Sequence, residues 1–314
     1  MNALLVVNPV ATVTTPRVRD VLVSALSSGL TLEVEQTKGR GHATELGQRA
    51  AETGADLVVV LGGDGTVNEV VNGILRDGPA TGGPALAVVP GGGTNVFARA
   101  LGFSRSPVEA TGELLEALRG GHRRRISLGR ADQRYFTFCA GLGLDAAVVQ
   151  RVEKKRDGGK PNTPGLYLRS AVSRFYGNYD RRHAPMSLSL PDGTDGSDEP
   201  TPVFVALVCN TSPWTYLAGR PVVPCPEASF DTGLDVLAMR KLGLSVTLRA
   251  VAQMLSRDPA GPHGRRVLGL HDLPEITVAA TGDPMPLQVD GEYLGDHSSV
   301  RFTSHPAALS VVEK

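Results

Sequence analysis

The sequence predicts an N-terminal α/β domain built on a parallel sheet, followed by a mostly antiparallel, sandwich-like β domain. Three observations lead there. In the first part, short apolar runs rich in β-branched residues alternate with stretches of helical periodicity, the pattern of βαβ units. Two of those runs end in glycine turns that lead directly into helices. From Ile126 the texture changes to short strand-like segments separated by turn residues. At 314 residues the chain is long for one core and comfortable for two. The boundaries read as 1–125 and 126–304, with 305–314 as a tail able to return to the first domain.

The elements follow in order. Leu4–Val7 is a buried strand ending at Asn8-Pro9. Thr15 and Pro16 open a helix as N-cap and first helical residue, with Val18, Val21, Leu22 and Ala25 facing inward. Thr31–Gln36 is a second strand and His42–Thr53 a second helix. Leu57–Leu61 is an unbroken apolar run, the mark of a strand covered on both faces. Gly62, Gly63 and Gly65 then surround one carboxylate, Asp64. Beyond them Val67, Val70, Val71 and Ile74 fall on one helical face, and Thr66 with Glu69 has capping-box spacing, so a helix is expected from Thr66.

A strand, a glycine turn and a helix N-terminus together present backbone N–H groups and a positive dipole end to an anion. Asp64 would repel a bare phosphate, and it makes sense if a divalent cation lies between the two. The same design returns after the strand Ala85–Val89, in Pro90-Gly-Gly-Gly-Thr-Asn-Val96. Parallel sheets bind ligands at the carboxyl ends of their strands. Asn8, Thr37, the segment Gly62–Glu69 and the turn after Val89 should therefore gather on one edge.

Pro107–Arg119 reads as a surface helix and Gly120–Arg125 as a basic connector. Strand-like segments follow at Tyr135–Cys139, Met186–Leu190, Pro202–Val208, Leu234–Met239, Ile276–Ala280, Leu287–Val289 and Val300–Thr303. Helical stretches interrupt them near Asp145–Lys155, Tyr167–Tyr176 and Ser245–Leu255, and Pro191–Pro202 reads as a loop. In Gln288-Val-Asp-Gly-Glu292, an acidic residue at a strand end precedes a glycine turn and a second carboxylate. That arrangement suits a general base and equally a plain Asp-Gly hairpin turn.

Composition narrows the class. The 32 basic and 32 acidic residues cancel, so no global field draws the chain to nucleic acid or to an anionic membrane; any such attraction is local. Cys139, Cys209 and Cys225 are too few and scattered for a disulfide framework or a zinc site, and read as packing residues in a reducing compartment. The N-terminus reads as a strand with no signal-peptide pattern, and Val203–Gly219 is broken by Asn210, Ser212 and Pro213. The expectation is a cytoplasmic protein.

The Gly-Gly-Asp-Gly-Thr string resembles the nucleotide signature shared by diacylglycerol kinases, sphingosine and ceramide kinases, NAD kinases and phosphofructokinases. With Asn68-Glu69, the segment Gly62–Gly73 most resembles the soluble bacterial lipid kinases. Gly92-Gly-Thr-Asn95 is similar to their second nucleotide motif, with Gly93 at its Thr position. Ala140–Ala146 resembles their Gly-x-Gly-x-Asp-Ala stretch, and Gln288–Glu292 matches their Asp-Gly-Glu motif. No NAD kinase motif of the Ser/Thr-Pro-Thr-Gly-Ser-Thr-Ala-Tyr type follows.

The resemblance implies an ATP- and Mg²⁺-dependent kinase acting on a lipid hydroxyl, diacylglycerol by default. Asn8, Pro9, Thr37, Gly62, Gly63, Asp64, Gly65, Thr66, Asn68, Glu69, Gly92, Gly93, Thr94 and Asn95 would then hold the nucleotide. Asp64 would act through the metal, and Asp290 or Glu292 would take the hydroxyl proton. Asp231, in Asp231-Thr-Gly-Leu-Asp235, is a second metal candidate by resemblance. The chain departs from the pattern at Thr12, Val96, Ser127 and Thr232. Two alternatives therefore stay open: a nucleotide- or lipid-binding protein without transfer activity, and a kinase of a soluble molecule such as NAD.

A lipid substrate also implies peripheral, transient association with an anionic membrane. Arg151, Lys154, Lys155, Arg156, Lys160, Arg169, Arg174, Arg181 and Arg182, among Tyr167, Phe175, Tyr176 and Tyr179, form the candidate surface. Pro213, Trp214, Tyr216 and Leu217 are a candidate apolar anchor. A homodimer is left open.

Overall fold

The computed structural model describes residues 1–143, 146, 183–191, 199–256, 258 and 260–314. The helices expected near Asp145–Lys155 and Tyr167–Tyr176, the basic tract Arg151–Arg182 and most of the loop at 191–202 lie outside them. The chain forms two compact units: Met1–Leu128 with Pro306–Lys314, and Gly129–His305.

The first unit contains β1 (Asn2–Val7), α1 (Pro16–Ser27), β2 (Thr31–Gln36), α2 (His42–Glu52), β3 (Leu57–Gly62), α3 (Asp64–Ile74), β4 (Ala85–Pro90), α4 (Val96–Ala100) and α5 (Pro107–Gly120). Its strands lie in the order β2-β1-β3-β4, all parallel. Near the C-terminus Val311 pairs with Leu86 of β4, also in parallel. Every residue of β3 and β4 is buried, which is why these runs carry no alternation.

Thr15 caps α1, its Oγ1 accepting from Val18 N at 3.2 Å. Leu22 and Leu26 form the buried face, whereas Val21, expected inside, is 41% exposed. At 3.6 residues per turn it stands about 100° around the helix from Leu22. Helices α2 and α3 meet through two glycines. A Cβ on Gly73 would lie 2.1 Å from Thr44 O, and one on Gly47 would lie 2.5 Å from Val70 O.

Only Gly121-His122 of the expected basic connector at Gly120–Arg125 lies between elements: Gly120 ends α5 and Arg123 opens a strand, β5 (Arg123–Ala131). Arg125 explains how a run of three arginines fits there: its guanidinium donates to Ala307 O, Ala308 O and Ala80 O. The second unit continues with β6 (Arg134–Phe136), β7 (Cys139–Gly143), β8 (Met186–Ser189), β9 (Thr201–Val203), β10 (Val205–Cys209), β11 (Thr215–Leu217), β12 (Arg220–Val222), β13 (Leu234–Met239), α6 (Leu244–Met254), β14 (Val267–Leu273), β15 (Glu275–Ala280), β16 (Met285–Val289), β17 (Glu292–His297) and β18 (Ser299–Val312).

One antiparallel sheet runs β14-β13-β10-β7-β16-β17. A second is formed by the first half of β18 with β15, β8 and β9. Their inner faces share one core, including Phe136, Met186, Val236, Ile276 and Phe302, as in a sandwich. Phe136 and Phe302 meet edge to face at 6.4 Å. The single strand expected over Tyr135–Cys139 is two, β6 and β7, broken at Thr137-Phe138. The one expected over Pro202–Val208 is broken at Phe204. All three cysteines are buried free thiols.

A small aromatic cluster in this unit makes stability sensitive to pH. Tyr135 lies edge-on to His305 at 5.3 Å, the Arg130 guanidinium sits 5.1 Å over the Tyr135 ring, and Thr303 Oγ1 is 3.1 Å from His305 Nε2. Burial, and then the Arg130 charge, lower the pKa of His305. The unfolded chain therefore takes up this proton at a higher pH than the native one. Stability should rise with pH through the window that ends near the ordinary histidine value and fall as pH drops through it. Urea midpoints measured between pH 7.5 and 5 should drop less steeply in His305→Asn than in the wild type; parallel slopes would refute the assignment.

Candidate active site

The strand order reverses between β1 and β3: the chain leaves β1 toward β2 on one side and β3 toward β4 on the other. Such a switch point opens a crevice at the carboxyl ends of the strands. Asn8 follows β1, Gly63-Asp64 follows β3 and Gly91–Asn95 follows β4.

The two glycine turns lie backbone against backbone. Gly91 N donates to Gly62 O at 2.7 Å. A Cβ on Gly91 would come 2.9 Å from Gly62 Cα, and one on Gly92 only 2.7 Å from Gly63 Cα. By contrast, a Cβ on Gly65 or Gly93 meets nothing within 4 Å. Gly63, Gly91 and Gly92 thus serve the close approach of the turns and Gly62 makes room for the Thr66 side chain, while Gly65 and Gly93 face open space. Gly92→Ala should lower stability by about 1–3 kcal/mol, the usual penalty of overpacking. Gly93→Ala should stay near wild type, and equal melting shifts for the two would contradict this division.

The helix expected from Thr66 starts two residues earlier, at Asp64, and Gly63 is its N-cap without a side-chain cap bond. The capping box does not form. Glu69 instead reaches the N-terminus of α2, Oε1 accepting from Gly41 N at 3.0 Å and Oε2 from Ala43 N at 3.2 Å. Thr66 Oγ1 accepts from Asn8 Nδ2 at 2.8 Å, which ties the end of β1 to the first turn of α3.

Asp64 joins the two turns, Oδ1 accepting from Phe97 N at 3.1 Å. It supplies α4 with the cap that Asn95 does not give. Asn95 sits at φ 50° and ψ 54°, and its amide closes the second turn on itself, accepting from Gly92 N at 2.8 Å and donating to Gly92 O at 2.7 Å. Asn68 is buried, and Asn72 Nδ2 donates to its carbonyl at 2.9 Å. Thr37 N donates to Val7 O at 2.9 Å, and Pro9 is exposed.

Most side chains assigned to nucleotide binding by resemblance therefore brace the turns. What faces an incoming anion is backbone. The first intrahelical bond of α3 is Val67 N to Gly63 O, so Asp64, Gly65 and Thr66 carry the N–H groups for which a helix has no internal acceptor.

In the second unit Asp290-Gly291 is a tight turn between β16 and β17, with Val289 opposite Glu292. Both turn residues have positive φ, 48° and 81°, as a type I′ hairpin requires. Yet the Asp290 side chain points inward and is buried. Oδ2 accepts from Thr137 N at 2.7 Å and Thr137 Oγ1 at 2.9 Å; Oδ1 accepts from Phe138 N at 3.0 Å and Cys139 N at 3.1 Å. This carboxylate is the reason the strand breaks at Thr137-Phe138. Asn210 Nδ2 supports the same corner through Thr137 O at 3.0 Å. Glu292 pairs with Arg134 at 3.2 Å. The corner at 137–139, Asn210 and Arg134 escaped sequence reading because their only signal is tertiary.

Among the described residues no group of three or more His, Cys, Asp or Glu side chains could form a metal cage. Mg²⁺ that arrives with phosphates needs only one or two protein carboxylates, and Asp64 between the turns would be the residue to hold it. Asp231 is exposed, while Asp235 is buried with Oδ1 2.8 Å from His271 Nδ1 and accepting from Asp272 N at 3.1 Å. Burial raises the pKa of Asp235, against the pull of those two partners.

The sequence profile of the diacylglycerol kinase catalytic domain matches residues 2–131. The diacylglycerol kinase of Bacillus subtilis (strain 168) is 34% identical over 277 residues, covering 85% of this chain and 81% of that protein. The chain belongs to this kinase family. Staphylococcus saprophyticus diacylglycerol kinase is 34% identical over 279 residues, 88% of this chain and 83% of its own length. The probable lipid kinase YegS-like of Chromohalobacter salexigens is 27% identical over 299 residues, with 94% and 88% covered. A putative diacylglycerol kinase from Bacillus anthracis str. Sterne shares the fold, with a TM-score of 0.76 at 22% identity over 100% of this chain and 97% of that one. Val96 and Ser127, two of the positions at which the chain departs from the family pattern, are both buried.

Proposed function

We propose that this chain transfers the γ-phosphoryl group of ATP to a lipid hydroxyl, with diacylglycerol the first substrate to try, and that it meets that lipid at an anionic membrane surface. The reading is carried by the switch-point crevice, where two interlocked glycine turns lead to the first turn of α3. Backbone N–H groups of Asp64, Gly65 and Thr66 would hold phosphate oxygens, and Gly65 and Gly93 would let the nucleotide approach closely. Asp64 would hold Mg²⁺, which would supply charge neutralisation at the phosphates. Phosphoryl transfer asks the protein mainly for positioning and electrostatics, so rigid turns serve it.

The proton acceptor is assigned to the Asp290-Gly291-Glu292 turn, and within it to Glu292. A carboxylate has about four lone-pair sites, and Asp290 already accepts four bonds. Asp290 is the positioning residue for the corner beside it. Among the described residues no helix is long and apolar enough to cross a membrane.

The test incubates the full chain with labelled ATP, Mg²⁺ and a panel of lipids. Labelled phospholipid should appear, and Glu292→Gln should slow turnover by roughly 10²–10⁴-fold, the usual contribution of a general base. Full activity in that variant would reject Glu292 as acceptor. The buried Val96 and Ser127 favour a second reading, nucleotide binding without transfer. ATP binding with no product from any lipid would establish it, and turnover of NAD without lipid would move the substrate class.

A further inference from the structure

Helix α6 turns apolar side chains outward. Leu244, Leu248 and Val251 are 48%, 60% and 42% exposed, while Ala250 and Met254 form its buried face. At 100° per residue the three exposed side chains and half-buried Leu255 share a stripe about 60° wide.

The surroundings are cationic. Arg249 lies on the helix, and Arg240 and Lys241 precede it; all three are exposed. Arg240 N donates to Arg266 O at 2.9 Å, which brings exposed Arg265 and Arg266 to the same end of the helix. Between residues 236 and 271 the only acidic residue is Asp258. In a chain whose 32 basic and 32 acidic residues cancel overall, this is a local excess.

The geometry points to α6 as the element that lies on an anionic phospholipid bilayer, its leucine stripe in the acyl boundary and its bases at the phosphates. The inference rests on the lipid kinase reading for its purpose, not for its geometry. An amphipathic helix with basic flanks binds such an interface through both terms, apolar area and charge. A second copy is the poorer occupant, because a two-fold contact across this stripe would bring two sets of Arg240, Lys241 and Arg249 together, with Asp258 the one acidic residue between 236 and 271 to oppose each set.

The experiment is sedimentation of the full chain with vesicles of phosphatidylcholine containing 0 to 40% phosphatidylglycerol (about the anionic range of interest). Binding should rise with the anionic fraction and fall with salt. Leu244→Ser with Leu248→Ser, and separately Arg240→Glu with Lys241→Glu, should each lower the partition coefficient by about tenfold or more. These residues are exposed, so both variants should melt with the wild type. Unchanged partitioning in both would overturn the inference. So would a dimeric wild type that the Leu→Ser pair converts to monomer without loss of vesicle binding, because the stripe would then be a self-interface.

Phosphorylation of a short-chain diacylglycerol dispersed in solution separates this from the kinase reading. Variants that keep that activity but lose vesicle binding support α6 as the docking element. A wild type that shows α6-dependent vesicle binding but phosphorylates no lipid also supports it, while the kinase reading falls.

Discussion

Asp290→Ala is expected to destabilise the second unit by about 3–5 kcal/mol, enough to unfold a marginal domain. The substitution leaves Thr137 N, Thr137 Oγ1, Phe138 N and Cys139 N facing the space of a missing acceptor. Each buried donor left without a partner costs about 1–3 kcal/mol, and entering water offsets part of the sum. Asp290→Asn is not a silent control. Two donors approach each carboxylate oxygen, so an amide NH₂ meets two of them whichever way it turns. Its midpoint should fall between wild type and alanine. Glu292→Gln should melt within about 1 kcal/mol of wild type, since it weakens one half-exposed ion pair. Urea unfolding of the three variants checks the order, and an alanine variant as stable as wild type would show that the corner holds itself.

Asp64→Asn should do the opposite: little to stability, much to turnover. The asparagine oxygen can still accept from Phe97 N, so α4 keeps its cap. The charge between the turns is lost, and turnover should fall by about 10²–10³-fold, as when one preorganised electrostatic group is removed. Asp64→Ala should lose the same turnover and a further ~1 kcal/mol of stability, the value of an N-cap. Measuring kcat alongside melting separates the two roles. Retained turnover in the asparagine variant would dismiss Asp64 from the chemistry.

The first unit was legible because its signals are local. The unbroken apolar runs at Leu57–Leu61 and Ala85–Val89 can only be doubly covered strands, and Thr15-Pro16 states where α1 begins. Reading failed where a side chain found a distant partner. Thr66 and Glu69 have the spacing of a local cap, but α2 offers Glu69 two N–H groups 26 and 28 residues away, and the helix start moved to Asp64. Tyr135–Cys139 looks like one strand because nothing in it says that a carboxylate 152 residues later binds Phe138 N. Strands β11, β12, β14 and β17 went unread for another reason. β14 and β17 are half exposed, with Gly269 and Gly295 inside them, and β11 and β12 are three residues each, too short for a period to appear. At the candidate site the glycines were found, but their division into bracing and lining positions needed coordinates.

Strand β18 sets the order in which the protein can be completed during synthesis. Its first half pairs with β15, and its end supplies Val311 to β4. Glu313 N then donates to His122 O, Lys314 N to Leu101 O, and the Lys314 ammonium meets Glu113 at 2.6 Å. The first unit therefore lacks this strand until residues 306–314 have emerged from the ribosome. Domains usually form in the order they emerge. Here the unit that holds residues 1–128 cannot close before residues 129–305 have emerged, and a nascent chain that stops short of Pro306 would carry four parallel strands with an open edge at β4.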